Sequence, residues 1–294
     1  MKYAFFKGCF IQVRLPHLEK VSRLTLESLG LDLVEVNEFS CCSEPVGLYI
    51  NDPLTSMVVA ARSISYAEEK GLDIISLCNG CSYVLKQVNE KLKSDEILRE
   101  KVNEILSEVD CQYNGTVKVK HFAEVLKNDI GFKKISDKIE RPLNGLKVAG
   151  HTGCHILSPK EIMAFDDPLN PVVLDDMIST LGADPLDYDK KTICCGWTLS
   201  AYGSRDSANI LLKDKLDSMR ESDCISVICP QCFYQFDTGQ AIASRKLGLN
   251  YRIPVFYYLQ LLGLSMGYSL DEMLYSKHRV QALSLKNKLE GILA

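Results

Sequence analysis

The sequence lacks two features that would indicate a charged polymer or a membrane as partner. It contains no dense run of Lys and Arg, and its formal net charge at pH 7 is -4, so it offers little attraction for nucleic acid or anionic lipid. Its longest apolar run, residues 253–268, includes Pro254 and Gln260 and is shorter than the roughly 20 residues that a helix needs to cross a bilayer. We therefore expect neither a nucleic-acid partner nor a membrane span.

Two further absences bear on location and cofactor. Residues 1–10 contain no apolar stretch long enough for a secretory signal, which predicts a cytoplasmic protein. No flavin or nicotinamide fingerprint is present, so we expect neither cofactor on this chain. The composition, 46% hydrophobic and 24% charged, is typical of a globular protein. The 294 residues suffice for one large domain or for two of about 150.

Cysteine, in contrast, is abundant, with 12 residues in the chain. In a small secreted protein such a number would indicate disulfides. A long chain without a secretion signal is expected in a reducing compartment, where disulfides are rare. Metal binding is therefore the expected use of these residues.

Ten of the cysteines form two copies of one motif, in which a single Cys precedes a Cys-Cys pair and then Cys-x-x-Cys. In the first half, 31 residues separate the single Cys from the pair and 35 separate the pair from Cys-x-x-Cys. The corresponding separations in the second half are 39 and 33. This agreement indicates duplication of a folded unit. The ten residues are Cys9, Cys41, Cys42, Cys78 and Cys81, then Cys154, Cys194, Cys195, Cys229 and Cys232.

Short apolar runs precede the cysteine groups, and longer helical patterns follow them. Such alternation predicts an α/β fold of two similar lobes, each a parallel sheet flanked by helices, with the cysteines at the carboxyl ends of the strands, where ligands bind. The predicted strands are residues 1–6, 31–39, 72–77, 117–121, 146–149, 191–193, 224–228 and 251–255. The predicted helices are residues 18–29, 54–70, 83–92, 122–126, 174–181, 207–220 and 256–262.

The repeat predicts a first cysteine-rich module at residues 1–143 and a second at residues 144–294. The charged stretch around Pro142 suits a linker between them. Residues 93–110 are charged, helical in period and longer than the equivalent part of the second half, so we expect a surface insertion there. His121 and Tyr257 occupy equivalent positions in the last strand-helix unit of each half.

Five thiolates in each module exceed the four ligands of a tetrahedral zinc site. A polynuclear iron-sulfur centre uses all five, and an all-thiolate shell favours zinc, copper(I) or iron-sulfur over hard cations. Three alternatives remain open. They are a scaffold stabilised by zinc, cysteines that only pack, and a dithiol redox enzyme, which needs a single active Cys-x-x-Cys.

Other residues near the repeat are weaker candidates. Cys111 and Cys224 lie outside the motif, and we expect both to pack in the core. His151 and His155 flank Cys154, where either would ligate a metal, donate a proton or hydrogen-bond to a cluster.

Positive side chains that follow the cysteine groups suit an anionic substrate. Arg14, Arg205 and His155 are the candidates for substrate contacts. Trp197, the only tryptophan, would either shield a cluster from solvent or simply pack.

The assembled motif resembles the cysteine-rich CCG-domain family, and within it the B subunits of heterodisulfide reductase from methanogenic archaea. The resemblance covers nearly the whole length. In one place the chain departs from the family pattern, since Ser43 follows the first Cys-Cys pair where glycine is expected, so we expect the first turn to differ slightly. The segments that carry the resemblance are Lys7-Gly8-Cys9, Leu77-Cys78-Asn79-Gly80-Cys81 and Ile193-Cys194-Cys195-Gly196.

The resemblance implies a cofactor and a reaction. Members hold two noncubane 4Fe-4S clusters, each bound by the five cysteines of one module. The implied reaction, a step of methanogenesis, is two-electron reduction of the mixed disulfide of coenzyme M and coenzyme B to two thiols. The substrate lies between the clusters, so that two one-electron centres on either side of one S–S bond would each deliver an electron.

The resemblance also implies partners. Electrons would arrive from the iron-sulfur C subunit and the flavin-bearing A subunit of heterodisulfide reductase, within a larger complex containing a hydrogenase or a formate dehydrogenase. Related subunits serve other dehydrogenases and thiol-dependent fumarate reduction, so the fold alone does not fix the substrate. The alternative functions are therefore electron transfer within such a complex and a structural zinc scaffold.

Overall fold

The first lobe is built on a four-stranded parallel sheet with strand order β2-β1-β3-β4. A computed structural model describes residues 1–293 of the chain. Phe5 of β1 lies beside Ile75 of β3 in the sheet, and both side chains are buried between the flanking helices. The strands are β1 (Lys2–Phe6), β2 (Asp32–Val34), β3 (Ile74–Ser76) and β4 (Val119–His121). The helices are α1 (Cys9–Arg14), α2 (Pro16–Ser28), α3 (Gly47–Asn51), α4 (Pro53–Glu69), α5 (Asn79–Ser94), α6 (Glu96–Ser107), α7 (Phe122–Glu124), which continues as a π-helix (Val125–Ile130), and α8 (Phe132–Ser136).

The second lobe repeats this plan with strand order β6-β5-β7-β8, again all parallel. The strands are β5 (Lys147–His151), β6 (Asp184–Pro185), β7 (Cys224–Val227) and β8 (Val255–Tyr257). The helices are α9 (Lys160–Met163), α10 (Val173–Thr180), α11 (Trp197–Ala201), α12 (Arg205–Ser218), α13 (Pro230–Tyr234), which continues as a π-helix (Gln235–Gly239), then α14 (Gln240–Leu247), α15 (Tyr258–Ser265), a 3-10 turn (Tyr275–Lys277) and α16 (Leu283–Leu293). The predicted fold class is confirmed.

Two predicted strands were wrong in position. Residues 191–193 form a turn rather than a strand, because the backbone carbonyls of Lys191 and Ile193 accept hydrogen bonds from Lys215 Nζ instead of from a neighbouring strand. The strand that pairs with β5 is the shorter β6. The last strand begins at Val255, since Pro254 has no N–H to donate to the sheet and contributes only its carbonyl, to Ile225.

The insertion predicted at residues 93–110 is confirmed as helix α6, which follows α5 before the chain enters β4. In the second lobe, α14 is followed by residues 249–254 without a helix before β8. The boundary between residues 143 and 144 stays a prediction. Between residues 1 and 293, no helix combines the length and the apolar character needed to cross a membrane.

Candidate metal centre

The single cysteines and the Cys-x-x-Cys turns lie just beyond the carboxyl ends of strands, as the sequence predicted, and each Cys-Cys pair lies in the longer loop that follows β2 or β6. Cys9 follows β1 and Cys78 follows β3. After β1 the chain adds β2 on one side of it and then β3 on the other, so this end of the sheet is a topological switch point. Loops that leave such a point diverge and open a crevice, which the five thiols of the lobe occupy.

The ten thiols form one continuous row of neighbours. At one end, the Sγ atoms of Cys9 and Cys41 are 3.6 Å apart. The row crosses between the lobes where Cys78 meets Cys229, and it has the same internal order on each side of that point. In sequence along the row the residues are Cys9, Cys41, Cys42, Cys81, Cys78, Cys229, Cys232, Cys195, Cys194 and Cys154.

Neighbouring thiols in the row shift each other's pKa. Hydrogen bonds from Cys42 and Cys9 lower the pKa of Cys41, which favours the thiolate there. Interaction with Cys41, followed by burial, raises the pKa of Cys9, because two adjacent thiolates repel each other. The second lobe repeats the pattern, with the pKa of Cys194 lowered and that of Cys154 raised. Full ionisation therefore needs a positively charged group among the thiols, and five converging sulfur donors fit a polynuclear iron-sulfur cluster better than one tetrahedral zinc.

Each Cys-Cys pair is followed by a turn in the left-handed region. Gly196 has φ +87° and donates its N–H to Cys194 Sγ at 3.4 Å. Ser43 adopts φ +81° despite its Cβ, and its hydroxyl lies 2.6 Å from that of Ser56 in the core. Glu44 is also left-handed, with φ +60°, and α3 begins only at residue 47. The first turn thus differs from the second, as expected from the serine.

Gly8 brings the backbone against one of the thiols. Its φ is +74°, and a Cβ at this position would lie 2.9 Å from Cys81 Sγ. A side chain here would therefore strain the backbone and displace a candidate ligand. The sequence motif included Gly8 without identifying this role.

The last strand of each lobe supports the Cys-x-x-Cys turn of the other. Tyr257, at the end of β8, donates its hydroxyl to the carbonyl of Leu77. His121, at the end of β4, lies with its ring beside the carbonyl of Ile228. Both carbonyls belong to the residue immediately before a Cys-x-x-Cys, which confirms the predicted equivalence of His121 and Tyr257. The two contacts join the lobes next to the Cys-x-x-Cys turns.

Arg14 and Arg205 line one groove of about 400 Å³, together with Trp197 and Tyr234. Phe10 forms the wall between this groove and the first-lobe thiols. Its ring lies 4.9 Å from that of Trp197 and 5.6 Å from that of Tyr234, and it also lines the small cavity at Cys9, Cys42 and Cys81. Trp197 is therefore part of the boundary of the site.

His155, the third candidate for a substrate contact, does not line this groove. Its ring packs 5.2 Å from that of Tyr83, on the first-lobe helix α5. Tyr83 and Tyr234 each follow their Cys-x-x-Cys by the same number of residues, and His155 and Phe10 each directly follow the single Cys of their module. The contact between Tyr83 and His155 is therefore the counterpart of the contact between Tyr234 and Phe10. The structure thus separates His155 from the two arginines.

Two buried side chains lie against the second-lobe thiols. A ring nitrogen of His151 and the Sγ atoms of Cys195 and Cys232 lie within 4.8 Å of one another. Lys215, on α12, is fully buried, and no sequence pattern had singled out a lysine inside a helix. The two remaining cysteines, Cys111 and Cys224, are buried outside the row, as expected.

Comparison with known proteins agrees with this arrangement. The cysteine-rich domain (CCG) family matches residues 3–86 and 148–237, once in each lobe. The chain belongs to this family. It is 35% identical over 298 residues to the B subunit of the ferredoxin:CoB-CoM heterodisulfide reductase of Methanosarcina mazei, covering 100% of this chain and 98% of that protein.

Two more distant proteins extend the comparison. The chain is 28% identical over 286 residues to the 8-methylmenaquinol:fumarate reductase membrane anchor subunit of Wolinella succinogenes, covering 97% of this chain and 99% of that one. The crystal structure of a hypothetical protein from Helicobacter pylori aligns with a TM-score of 0.76 at 13% identity, over 96% of this chain and 52% of that one. This last likeness concerns the fold alone.

Proposed function

We propose that the chain is the catalytic iron-sulfur subunit of a heterodisulfide reductase, which reduces the mixed disulfide of coenzyme M and coenzyme B to two thiols in methanogenesis. Each lobe would hold one noncubane 4Fe-4S cluster through its five motif cysteines. The observation that carries the proposal is the row of ten thiols, in which two five-thiol sites adjoin at Cys78 and Cys229. Similarity over the full chain to a protein of that name supports it.

The arrangement suits a two-electron reduction. Cleavage of one disulfide to two thiols consumes two electrons and two protons. When bound, iron-sulfur clusters supply electrons singly, so one cluster in each lobe matches the demand. The residues of the chain hold the two sites close together. They shield the inner thiols from water, since Cys42, Cys81, Cys195 and Cys232 are buried, while Cys9 and Cys154 at the two ends of the row are exposed.

We place the anionic part of the substrate in the groove formed by Arg14 and Arg205. Both guanidinium groups are exposed there and present planar donors suited to sulfonate, carboxylate or phosphate. The aromatic wall of Phe10, Trp197 and Tyr234 separates the groove from the thiols. His155 would contact substrate from the opposite side, at the equivalent position in the second lobe.

The proposed partners follow from the same assignment. The iron-sulfur C subunit and the flavin-bearing A subunit of heterodisulfide reductase would deliver electrons, in a larger cytoplasmic complex with a hydrogenase or a formate dehydrogenase. A second candidate function is electron transfer in another redox complex, and the Wolinella relative, which is part of a fumarate reductase by name, favours it.

The decisive test is reduction of the mixed disulfide by the complex reconstituted with all its subunits. The proposal predicts two thiols released per disulfide, and no activity when this chain is omitted. A second measurement distinguishes the catalytic function from electron transfer alone. Coenzyme M added to the oxidised protein should produce a new paramagnetic species if the chain binds substrate, and none if it only relays electrons.

A further inference from the structure

The surroundings of the two thiol sites differ in charge. Lys215 extends from α12 into the second lobe, where its Nζ donates to the carbonyl of Lys191 at 3.1 Å and to that of Ile193 at 2.8 Å. It also donates to the carbonyl of Lys190. These carbonyls precede the pair Cys194-Cys195, so the ammonium group lies next to the second-lobe thiols with no exposure to solvent.

The charge of Lys215 is directed at those thiols. Burial lowers the pKa of its ammonium group to about 8, while the four second-lobe thiols Cys195, Cys232, Cys194 and Cys154 act in the opposite direction and favour the charged form. The Nζ of Lys215 donates to three backbone carbonyls, which matches the three N–H bonds of an ammonium group. A buried ammonium acts more strongly on nearby charge than an exposed one, because little water screens it.

The first lobe places its cations differently. Lys7, which lines the cavity at the first-lobe thiols, is paired with Glu19 and Glu35, each at 3.1 Å. Arg62, on α4, donates to the hydroxyl of Ser40 at 2.9 Å and remains partly exposed. Of these two cations, Lys7 is thus offset by carboxylates and Arg62 is partly exposed to solvent.

A second, independent difference lies at the end of the central strand. His151 ends β5 and pairs with Val227, two residues before Cys229. Phe6 ends β1 and pairs with Ser76, two residues before Cys78. The two positions are equivalent, so the second lobe has an imidazole where the first has a phenyl ring. Neither ring nitrogen of His151 has a hydrogen-bond partner among residues 1–293, which leaves its N–H available to a sulfur atom at the site.

We propose that the second lobe holds the more easily reduced of the two iron-sulfur centres, because Lys215 and His151 stabilise the added electron there. The inference rests on the proposed function. Reduction by a one-electron donor such as the iron-sulfur partner adds one negative charge to a centre. A buried cation and a hydrogen bond to sulfur both favour that charge and raise the reduction potential. Lys215 and His151 are positioning and tuning residues, distinct from the ligands.

The test is an anaerobic redox titration of the full chain, followed by electron paramagnetic resonance. The wild type should show two one-electron steps. Lys215→Met and Lys215→Gln should both lower the midpoint potential of the higher step by at least 59 mV, which is a tenfold change in the equilibrium of a one-electron couple. The midpoint potential of the other step should not change. His151→Phe, which copies the first lobe, should lower the same step.

Lys213→Met is the matched control, since it removes the same charge from the same helix. Lys213 is 43% exposed and paired with Asp217 at 2.7 Å, so neither step should move.

The Lys215→Gln variant retains a hydrogen-bond donor for the loop carbonyls. If it kept the wild-type potentials, or lost iron, Lys215 would act on loop geometry alone and the inference would be overturned. A single midpoint in the wild type, or movement of the lower step, would also overturn it. A wild-type chain without iron would instead refute the proposed function.

Discussion

The thiols of Cys78 and Cys229 are neighbours across the interface between the lobes. Interaction with Cys229 raises the pKa of Cys78, and hydrogen bonds with Cys232 and then Cys78 lower that of Cys229. Each is the first cysteine of a Cys-x-x-Cys turn. The other contacts in the row of ten thiols connect cysteines of one lobe. The two groups of five thiols are therefore separate but adjacent in space, which is the arrangement that the proposed function needs to act on one small substrate from two sides.

This separation predicts that iron is lost from one lobe at a time. Cys81→Ser should reduce the iron content of the chain by about half, because Cys81 contacts Cys42 and Cys78 in the first lobe. Cys232→Ser should have the same effect in the second lobe. Cys111→Ser should retain full iron, since Cys111 is buried outside the row. Complete loss of iron from either motif variant would contradict the division into two sites.

Gly8 provides a test of steric crowding at the first site. Gly8 has φ +74° and ψ +154°, a backbone conformation that is essentially restricted to glycine. Gly8→Ala should therefore cost about 1 to 3 kcal/mol of unfolding free energy and should also lower iron content, because the new Cβ would press on Cys81 Sγ. Gly30→Ala is the control, since Gly30 has φ +84° and no neighbour within 4 Å of an added Cβ. It should also lose stability from its positive φ while keeping its iron. Equal iron contents in the two variants would show that the Gly8 contact is unimportant.

The groove predicts a binding defect rather than a chemical one. Arg205→Gln should raise the KM for the mixed disulfide about tenfold, as expected for loss of one charge-assisted hydrogen bond worth about 1.5 kcal/mol, with kcat little changed. Arg14→Gln should behave alike, because both residues line the same groove. Arg99→Gln, on α6, is the control and should leave KM unchanged. A fall in kcat at constant KM would assign the arginines to a different role.

His278 predicts how stability depends on pH. Burial, followed by the charge of His17, lowers its pKa to about 3, and Gln260 Nε2 donates to its Nε2 at 2.9 Å. The unfolded state, with a histidine pKa of about 6.5, therefore binds more protons below that value, and the unfolding free energy falls as the pH falls. The part of this loss that His278 contributes should be about 1.4 kcal/mol at about pH 5.5 relative to about pH 7.5.

His278→Gln retains an amide for Gln260 and cannot titrate in this range. Urea unfolding at both pH values should therefore show a drop that is smaller by about 1.4 kcal/mol in the variant than in the wild type. An equal drop in both proteins would mean that the histidine does not carry this part of the acid sensitivity.

The sequence predicted the features that repeat. Two copies of Cys, Cys-Cys and Cys-x-x-Cys after apolar runs located the sites, because the runs before the single cysteines and before Cys-x-x-Cys form β1, β3, β5 and β7, and the carboxyl ends of parallel strands share one edge. The equivalence of His121 and Tyr257 was also visible, since each follows the last strand pattern of its half. Neither pattern showed that each residue reaches across to the other lobe, which requires the tertiary arrangement.

The features that the sequence did not predict depend on contacts distant along the chain. Lys215 lies in a charged segment of α12 and resembles a surface residue until the turn at residues 190–193 folds over it. The same contacts prevented the strand predicted at residues 191–193. Arg14 and Arg205 were both candidates, but only the packing of α1 against the second lobe brings them to one groove and leaves His155 elsewhere.

The most direct test of the account is the content of iron, zinc and acid-labile sulfide in anaerobically purified protein. Two four-iron clusters predict about eight irons per chain, with a similar amount of sulfide. Zinc without sulfide, in protein that has never been exposed to oxygen, would contradict the account and make the two thiol sites a structural scaffold.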